Sequence, residues 1–489
     1  MNMKIYFFRR FIMKSITMKK ALAIIAALSI TAGLAACDDS GSDPGSNGGP
    51  QVTTATTPPR EMDEEDKAAV AEIDMGDDVQ KLENGTVRWL SHWDLNPEDG
   101  KPKGVDIELF ETNYGGKIEY LQTTWETRWD TFSTLVVSAD PPDLFPGGEL
   151  DVFPGRAING MFQPMDDYLD FDSDMWTDSA KKLSDEMTLG GKHYVAVTNA
   201  DTVCLCIYNK RVIEENGLDD PAELLKEGNW TWDTFKDMCL DFIDPDEEKV
   251  ALDGWWFEHN LILTTGKPAI GMENGTIVSN LMSPEMERAQ AFMLEVNRNG
   301  FNIDRAKYNW TEQKHYVGEG KVLFYPVGVW QLYEPDLSVF GDEGEIMFVP
   351  MPRDPSADEY YIPVSTGIDS FVLCKGAPNP EGAAAFIKCR LMSVKDENAK
   401  AIKEKQLRED YHWTDDMVEM WDLTIDLLNQ HPVIEYFPGV SVEINSALND
   451  PLKQASYSGT DWATTRSGIS DAVQTYIDNL NVTIANDFS

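Results

Sequence analysis

Residues 86–121 read TVRWLSHWDLNPEDGKPKGVDIELFETNYGGKIEYL. The first five residues, 86–90, are rich in β-branched and aromatic side chains, which is typical of a strand. Residues 105–113 have a helix-like pattern, and residues 117–121 form a second strand candidate. Strand, helix and strand at this spacing predict a parallel α/β layer.

Further strand and helix signals alternate along the rest of the chain. Strand-like runs lie at residues 202–208, 321–327, 345–349 and 371–373. Ser283 before Pro284 predicts the start of a helix that ends before Gly300, and Asn379-Pro380 predicts the start of another. The apolar residues of these helices recur at helical spacing, which indicates a packed core rather than a cofactor site. We therefore expect an α/β protein.

The N-terminal residues carry an export signal. Residues 19–32 run from two lysines into an almost wholly apolar stretch that is too short to cross a bilayer comfortably. Residues 34–37, Leu-Ala-Ala-Cys, resemble the lipobox of bacterial lipoproteins, in which the cysteine is lipidated. We predict a signal peptide over residues 1–36 and lipidation of Cys37, which would anchor the protein on the extracytoplasmic face of the cell membrane. A plain signal peptide with a chance cysteine is the alternative.

Composition limits the organisation and the partners of the mature chain. Residues 37–83 open on a stretch rich in Gly, Ser, Pro and Thr and stay acidic, which predicts a flexible tether. About 450 residues come after the signal, more than one ordinary core holds, so two lobes are expected. The net charge of −43 argues against nucleic acid as a partner and against adhesion to anionic lipid.

Cysteine usage does not indicate a disulfide framework. Apart from Cys37, the cysteines are odd in number and lie in apolar stretches: Cys204, Cys206, Cys239, Cys374 and Cys389. We predict buried free thiols. Export to an oxidising compartment would still permit one bridge.

Five short blocks succeed one another across residues 84–489. They are Pro142-Asp143, Pro164-Met165-Asp166, residues 191–194 with 205–210, Gly320-Lys321 with Gly328-Val329-Trp330, and Asn379-Pro380-Glu381. In this order they resemble the family 1 extracellular solute-binding proteins, the group that includes the maltose-binding protein. Val329 stands where the family has a proline, which leaves open how the loop before Trp330 is held.

The resemblance implies a two-lobe, periplasmic-binding-protein-like fold of type II, with lobes joined by crossing hinge strands. The first lobe would comprise residues 84–200 and about 366–400, and the second residues 201–365 and about 425–489. It also implies a monomer without cofactor that captures a carbohydrate between the lobes. The number of aromatic candidates favours an oligosaccharide over a monosaccharide. The implied partners are the permease subunits of an ABC transporter and their ATPase.

A sugar-binding cleft combines aromatic rings, which suit the C–H faces of sugars, with polar side chains that bond to hydroxyls. By resemblance, Trp330 aligns with the family's pocket tryptophan. Trp255 and Trp256 fall in its second-lobe aromatic stretch, and which of the two faces the cleft is left open.

Three further residues complete the predicted site. Trp93, which follows His92, ends the first strand, where ligand-binding loops are expected. Glu149 follows the Pro-Asp block, and Asp369 lies where the chain would return between the lobes. The predicted ligand-binding residues are Trp330, Trp256, Trp255, Trp93, Asp369 and Glu149.

Signatures of catalysis and of metal binding are weak. The sequence lacks the Gly-x-Ser-x-Gly, His-Glu-x-x-His and phosphate-loop motifs, and its six histidines have no metal-ligand spacing. Asp170, Asp172 and Asp174 lack the glycine and the closing glutamate of a calcium loop, which favours an acidic loop cap. We predict a binding protein, not an enzyme, without a metal. The alternatives are a glycosidase, which needs only two placed carboxylates, a surface carbohydrate adhesin or sensing co-receptor, and a receptor for a non-sugar solute.

Overall fold

The structure is a computed structural model that describes residues 60–76, 79–97, 102–148, 150–200, 203–334, 336–364 and 368–488. Cys37, with the predicted signal peptide, and Glu149 lie outside the described residues. Across the described residues, no helix combines the length and the apolar character needed to cross a membrane.

The described residues form both strands and α-helices. The strands are β1 (Thr86–Ser91), β2 (Lys117–Gln122), β3 (Leu144–Pro146), β4 (Phe162–Gln163), β5 (Thr188–Leu189), β6 (Lys192–His193), β7 (Ala196–Asn199), β8 (Cys204–Asn209), β9 (Val250–Leu252), β10 (Ile270–Glu273), β11 (Thr276–Ser279), β12 (Val322–Gly328), β13 (Ile346–Pro350), β14 (Ile362–Val364), β15 (Asp369–Cys374) and β16 (Pro432–Ile434). The helices are α1 (Glu64–Ala71), α2 (Val105–Leu109), α3 (Arg128–Val137), α4 (Gly155–Ile158), α5 (Asp178–Glu186), α6 (Lys210–Glu215), α7 (Pro221–Lys226), α8 (Trp232–Phe242), α9 (Phe257–Leu263), α10 (Pro284–Arg298), α11 (His315–Gly318), α12 (Pro380–Lys395), α13 (Glu397–Glu409), α14 (Asp415–Gln430), α15 (Phe437–Val440), α16 (Val442–Leu448), α17 (Gln454–Ser458) and α18 (Trp462–Asp487).

The first sheet contains the stretch that predicts the fold class. β1 and β2 pair in parallel from Thr86 with Lys117 to Ser91 with Gln122, and α2 lies between them in sequence. The strand order is β2-β1-β3-β15-β4, and β7 also pairs with β15. β3 is parallel to β1, whereas β15 is antiparallel to β3, β4 and β7. The α/β class predicted from the sequence is confirmed.

The second sheet has the order β13-β8-β12-β9. β8 is antiparallel to both of its neighbours, and β9 is parallel to β12. Every residue of β8 is buried, including Cys204 and Cys206. The five cysteines predicted to be free and buried are free and buried.

Two blocks of sequence that lie far apart contact each other near the amino ends of β1 and β3. The Asp143 carboxylate accepts hydrogen bonds from the backbone amides of Asn379, at 2.6 Å, and Arg88, at 2.9 Å. Asn379 caps α12 and donates its side-chain amide to the carbonyls of Asn84 and Thr86 at 2.9 and 2.7 Å. Both side chains are buried. The Pro-Asp and Asn-Pro-Glu blocks therefore join β1 to α12, which is a structural role.

The folded body begins earlier than predicted. The tether was expected to extend to residue 83, but α1 packs on α2 and α13, and Met62 and Val70 are buried. Lys405 on α13 pairs with Asp63 at 2.6 Å and with Asp66 at 3.1 Å. These residues of the predicted tether therefore pack against the folded body, and Lys405 supplies a positive charge that composition alone does not reveal.

Candidate ligand-binding site

The chain passes between the two sheets at one edge of each. β1, β3 and β7 run parallel and β15 runs antiparallel to β3 and β7, so the carboxyl ends of the first three share an edge with the amino end of β15. In the second sheet, the carboxyl ends of β9, β12 and β13 share an edge with the amino end of β8. β7 ends at Asn199 and β8 begins at Cys204, so a few residues join these edges, which we call the first edge and the second edge.

All the predicted ligand-binding residues that the structure describes lie at these edges. Trp93 follows β1, and Asp369 is the first residue of β15. Trp255 and Trp256 follow β9, and Trp330 follows β12. Loops at such strand ends are the usual position of ligand sites in α/β proteins. Contact with a ligand stays a prediction for each of them.

Trp93 is held by the strand beneath it. The indole N–H of buried Trp89 donates to the Trp93 carbonyl at 3.0 Å, and the ring centroids lie 5.6 Å apart. His92 packs against both Trp93 and Trp125, with centroid distances of 4.6 and 5.6 Å. Burial, reinforced by nearby Arg128, lowers the pKa of His92, so its imidazole is neutral at neutral pH. Trp93 is 38% exposed and Trp125 is 42% exposed, so the first edge presents two indoles to solvent.

A buried polar cluster supports Trp125. The Arg128 guanidinium lies 3.3 Å from the Trp125 ring centroid, donates to the Trp125 carbonyl and pairs with Asp151 at 2.6 Å. Trp129 donates its indole N–H to the same Asp151 oxygen at 2.9 Å. Arg156 stacks on Trp129 at 3.3 Å. Because little of the Arg128–Asp151 pair is exposed, removing one partner would leave a buried charge, which is costly.

The loop before Trp330 is held by a close backbone approach. Trp330 packs edge to face with Trp256 at a centroid distance of 5.0 Å, and both rings are half-buried. Trp330 also folds back over Gly328, where a Cβ atom would lie 1.7 Å from its ring, so position 328 requires glycine. The Val329 amide donates to the Val203 carbonyl at 3.3 Å. The family's proline could not make this bond because it has no N–H.

Trp255 and Trp256 have different supports although they are adjacent in sequence. Trp256 packs against the hydrophobic core, as Trp330 does. Trp255 instead stacks on the guanidinium of Arg305, whose central carbon lies 4.0 Å from the ring centroid. Both indoles are half-buried.

Asp369 already has partners within the protein. Its carboxylate pairs with Arg390 at 2.6 Å and accepts from the Thr198 hydroxyl at 2.9 Å. Arg390 also pairs with Asp106 at 3.0 Å. Asp369 therefore joins β15 to β7 and α12, and its role in ligand binding stays a prediction.

Two exposed tryptophans at these edges were missed in the sequence. Trp125 follows β2, as Trp93 follows β1, so the rule that selects Trp93 could have found it. Trp310 is 66% exposed, and Asn309 and Trp310 both have positive φ, of 53° and 63°. The amide of Gln313, three residues further on, donates to Asp253 at the end of β9. No local pattern places Trp310 at the second edge.

The acidic stretch from Asp170 to Asp174 forms a turn. The Asp170 carboxylate accepts from the Asp172 amide at 2.9 Å, and Lys181 pairs with Asp172 at 3.0 Å. In the described part of the chain, no three His, Cys, Asp or Glu side chains converge as metal ligands would.

Comparison with solved structures places the fold in a class. The sugar-binding protein MalE from Xanthomonas citri is similar, with a TM-score of 0.56 and 14% identity over 82% of this chain and 100% of that one. A cyclic α-maltosyl-1,6-maltose-binding protein from Arthrobacter globiformis has a TM-score of 0.57 and 14% identity, over 81% of this chain and 99% of its own. UgpB from Mycobacterium tuberculosis, in complex with glycerophosphocholine, has a TM-score of 0.54 and 16% identity, over 77% of this chain and 94% of its own. The fold is thus the two-lobe α/β fold of type II periplasmic binding proteins.

The family is established by the sequence match. Residues 95–389 match the family model of the bacterial extracellular solute-binding proteins, and the chain belongs to this family. The resemblance predicted from the five blocks is confirmed. Among curated proteins, none matches the sequence. The family and these structural neighbours are binding proteins.

Proposed function

We propose that the protein is a lipid-anchored receptor that binds a carbohydrate, specifically an oligosaccharide, between the first and second edges and delivers it to an ABC transporter permease. One observation carries the proposal, namely indole rings at both edges. Trp93 and Trp125 lie at the first edge, and Trp255, Trp256 and Trp330 lie at the second. Indole faces suit the C–H faces of sugar rings, and their N–H groups can bond to hydroxyls. A ligand that reaches both edges would meet aromatic surface at each.

The neighbours of known ligand support this substrate class. The Xanthomonas citri protein is described as sugar-binding, and the Arthrobacter globiformis protein binds a cyclic maltosyl-maltose. The Mycobacterium tuberculosis protein was solved with glycerophosphocholine, so the same fold also accommodates a polar solute that is not a sugar. The aromatic content of the two edges favours a sugar here.

Ligand capture in this proposal is a shift between open and closed arrangements. In this proposal the first lobe comprises residues 84–200 and about 366–400, and α1 packs against it. The second lobe comprises residues 201–365 and about 425–489. The pairing of β15 with β3 and β7 supports the return of the chain to the first lobe. A ligand that contacts both edges binds the closed arrangement more tightly than the open one. It shifts the equilibrium towards the closed arrangement by this difference in binding free energy.

Lipidation of Cys37 would hold the receptor at the extracytoplasmic face of the membrane, beside the permease. Binding and release require no covalent chemistry from the receptor, because the ATPase of the transporter supplies the energy. The residues that we assign to the site accordingly act by stacking and by hydrogen bonding.

The proposal is tested by ligand binding to the chain from residue 38 onward. A thermal-shift screen comes first, because a ligand that binds only the folded state raises the melting temperature. It contains neutral and acidic mono- and oligosaccharides, with phosphodiesters, peptides and polyamines as the alternative ligands. Calorimetry of the best ligand then compares the native protein with Trp330→Ala. We expect the Kd to rise at least about tenfold, the effect of losing one aromatic contact of about 1.4 kcal/mol.

Tyr476→Ala is the matched control, because Tyr476 is an exposed aromatic residue on α18. It should bind as tightly as the native protein. If only phosphodiesters, peptides or polyamines shift the melting temperature, the family assignment stands and the carbohydrate assignment fails. Cleavage of any oligosaccharide would contradict the assignment as a binding protein.

A further inference from the structure

Arg305 is a buried residue that contacts one of the proposed ligand-binding residues. It is 6% exposed, and its guanidinium stacks on Trp255. It donates to the Gly254 carbonyl, which precedes Trp255, and to the Tyr457 hydroxyl at 2.6 Å. Its Nε lies 3.7 Å from the Asp253 carboxylate. Asp253, Gly254 and Trp255 lie in the loop after β9, at the second edge, and Tyr457 lies on α17.

Asp253 extends the same network along the backbone. Its carboxylate accepts from the Gly254 amide at 2.7 Å and from the Gln313 amide at 2.6 Å. The backbone amide of Trp310 donates to the Arg305 carbonyl at 2.9 Å. Arg305 and Asp253 therefore join the loop that carries Trp255 to the loop that carries Trp310.

A third segment reaches Arg305 from the C-terminal part of the chain. Tyr457 accepts from Arg305 and donates to Glu258 at 3.2 Å, and Ser456 donates to the other oxygen of Glu258 at 2.9 Å. Glu258 and Asp253 are both 1% exposed. Burial raises the pKa of Glu258, and the nearby Arg305 opposes that rise. Arg305 thus places positive charge beside two buried carboxylates, and Lys453 adds to it at Glu258.

We infer that Arg305 is a positioning residue, which holds the Trp255 ring in place at the second edge. The guanidinium covers one face of the indole, and the other face is available to ligand. This inference rests on the proposed function only in assigning ligand to the free face of Trp255. It also distinguishes the adjacent indoles, since Trp255 is the platform and Trp256 is the core support of Trp330.

Arginine suits this position better than lysine. A planar guanidinium can stack on an indole while its edge donates to Gly254 and Tyr457, whereas an ammonium group has no flat face. Arg305→Lys retains the charge needed by Asp253 and Glu258, so the fold should persist while the indole loses its support. The conservative variant therefore separates positioning of Trp255 from stability of the fold.

The position of Trp255 can be measured without a ligand. The protein is labelled with 5-fluorotryptophan, and the ¹⁹F resonance of Trp255 is identified as the one absent from Trp255→Phe. We expect Arg305→Lys, Arg305→Leu and Tyr457→Phe to shift or broaden this resonance. Arg298→Leu is the matched control, because Arg298 is an exposed arginine on α10, and it should leave the resonance unchanged. An unchanged Trp255 resonance in folded Arg305→Lys would overturn the inference.

Ligand affinity supplies the second measurement. With the sugar found in the screen, we expect Arg305→Lys to raise the Kd about tenfold, the scale of one lost aromatic contact, and Arg298→Leu to leave it unchanged. A Kd unchanged in Arg305→Lys would overturn the inference and leave the proposed function intact. If no sugar binds the native protein but the Trp255 resonance moves, the proposed function fails and the positioning role stands.

Discussion

Glu435 is a buried carboxylate directly after β16, with only 4% of its surface exposed. One oxygen accepts from the amides of Ile270, Tyr436 and Phe437 at 2.9, 3.0 and 3.2 Å, and the other from the Ala269 amide at 2.7 Å. These bonds favour the ionised form, but the loss of hydration outweighs them and raises the pKa of Glu435 to about 7. This side chain therefore titrates near neutral pH and ties the start of β10 to β16.

The raised pKa of Glu435 makes stability depend on pH in a defined direction. The folded protein binds this proton more tightly than the unfolded chain, so the stabilising contribution is full below about pH 4.5 and is lost as the pH rises through about 7. Relative to Glu435→Gln, which does not titrate, the free energy of unfolding should fall by roughly 2 to 3 kcal/mol from about pH 5 to about pH 8. Urea unfolding of both proteins at several pH values measures this difference.

The difference in free energy of unfolding between the native protein and Glu435→Gln reports the titration of Glu435 alone. Glu186, which accepts from the Tyr436 hydroxyl at 3.4 Å, also has a pKa raised by burial. It is present in both proteins, so its contribution cancels to first order. Parallel pH dependences for the native protein and Glu435→Gln would contradict the prediction. A constant offset is expected, because glutamine replaces one carboxylate oxygen by an NH2 group, which cannot accept from a backbone amide.

At the scale of elements, α1 connects residues that precede the first sheet to the C-terminal third of the chain. Arg60 pairs with Asp410, with Nη2 and Oδ1 at 2.9 Å, and Lys405 pairs with Asp63. The Asn398 side-chain amide donates to the Ala69 carbonyl at 3.3 Å. α1 is therefore fixed to α13 by ion pairs and a hydrogen bond.

Removal of α1 should lower stability without removing the site. A chain that begins at residue 84 lacks the buried side chains of Met62, Val70 and Ile73 and leaves Lys405 without its acids. Each buried apolar side chain contributes about 1.5–3 kcal/mol as an upper value, so we expect a loss of several kcal/mol. Thermal and urea unfolding measure the loss, and a chain that begins at residue 58 is the control that retains α1. Equal stability of the two truncated chains would show that α1 contributes nothing.

At the scale of the whole molecule, charge is strongly unbalanced. The sequence has 84 acidic and 41 basic residues, and its net charge is −43. Many bases are used locally, for example Lys103, which lies 3.2 Å from Glu108 and 2.9 Å from Glu111. The remaining acids repel one another, which keeps the protein soluble and disfavours the compact state.

This imbalance predicts that salt stabilises the protein. Raising KCl from about 0.01 M to about 0.15 M shortens the screening length from about 30 Å to about 8 Å, so repulsion across the surface falls. We expect the melting temperature at neutral pH to rise over this range. The rise should shrink near the isoelectric point, where the net charge is small. A melting temperature that falls with salt at neutral pH would show that ion pairs dominate over the net repulsion.

The linear pattern was enough for the fold class and for the positions of several elements. Residues 86–121 predict β1, α2 and β2, and Ser283 and Asn379 predict the starts of α10 and α12. These features are readable because side-chain periodicity and capping depend on residues a few positions apart. The same holds for Trp93, which the sequence selects because it comes after a strand.

The support of the candidate site was decided only by contacts between distant segments. Arg305 lies far in sequence from both Gly254 and Tyr457, and no local pattern joins them. Likewise, the acids of α1 are matched by Lys405, so a segment with the composition of a tether becomes part of the body. A short-range pattern reports the conformation of its own segment, whereas burial of a charge and the stacking of one side chain on another depend on which segments the fold brings together.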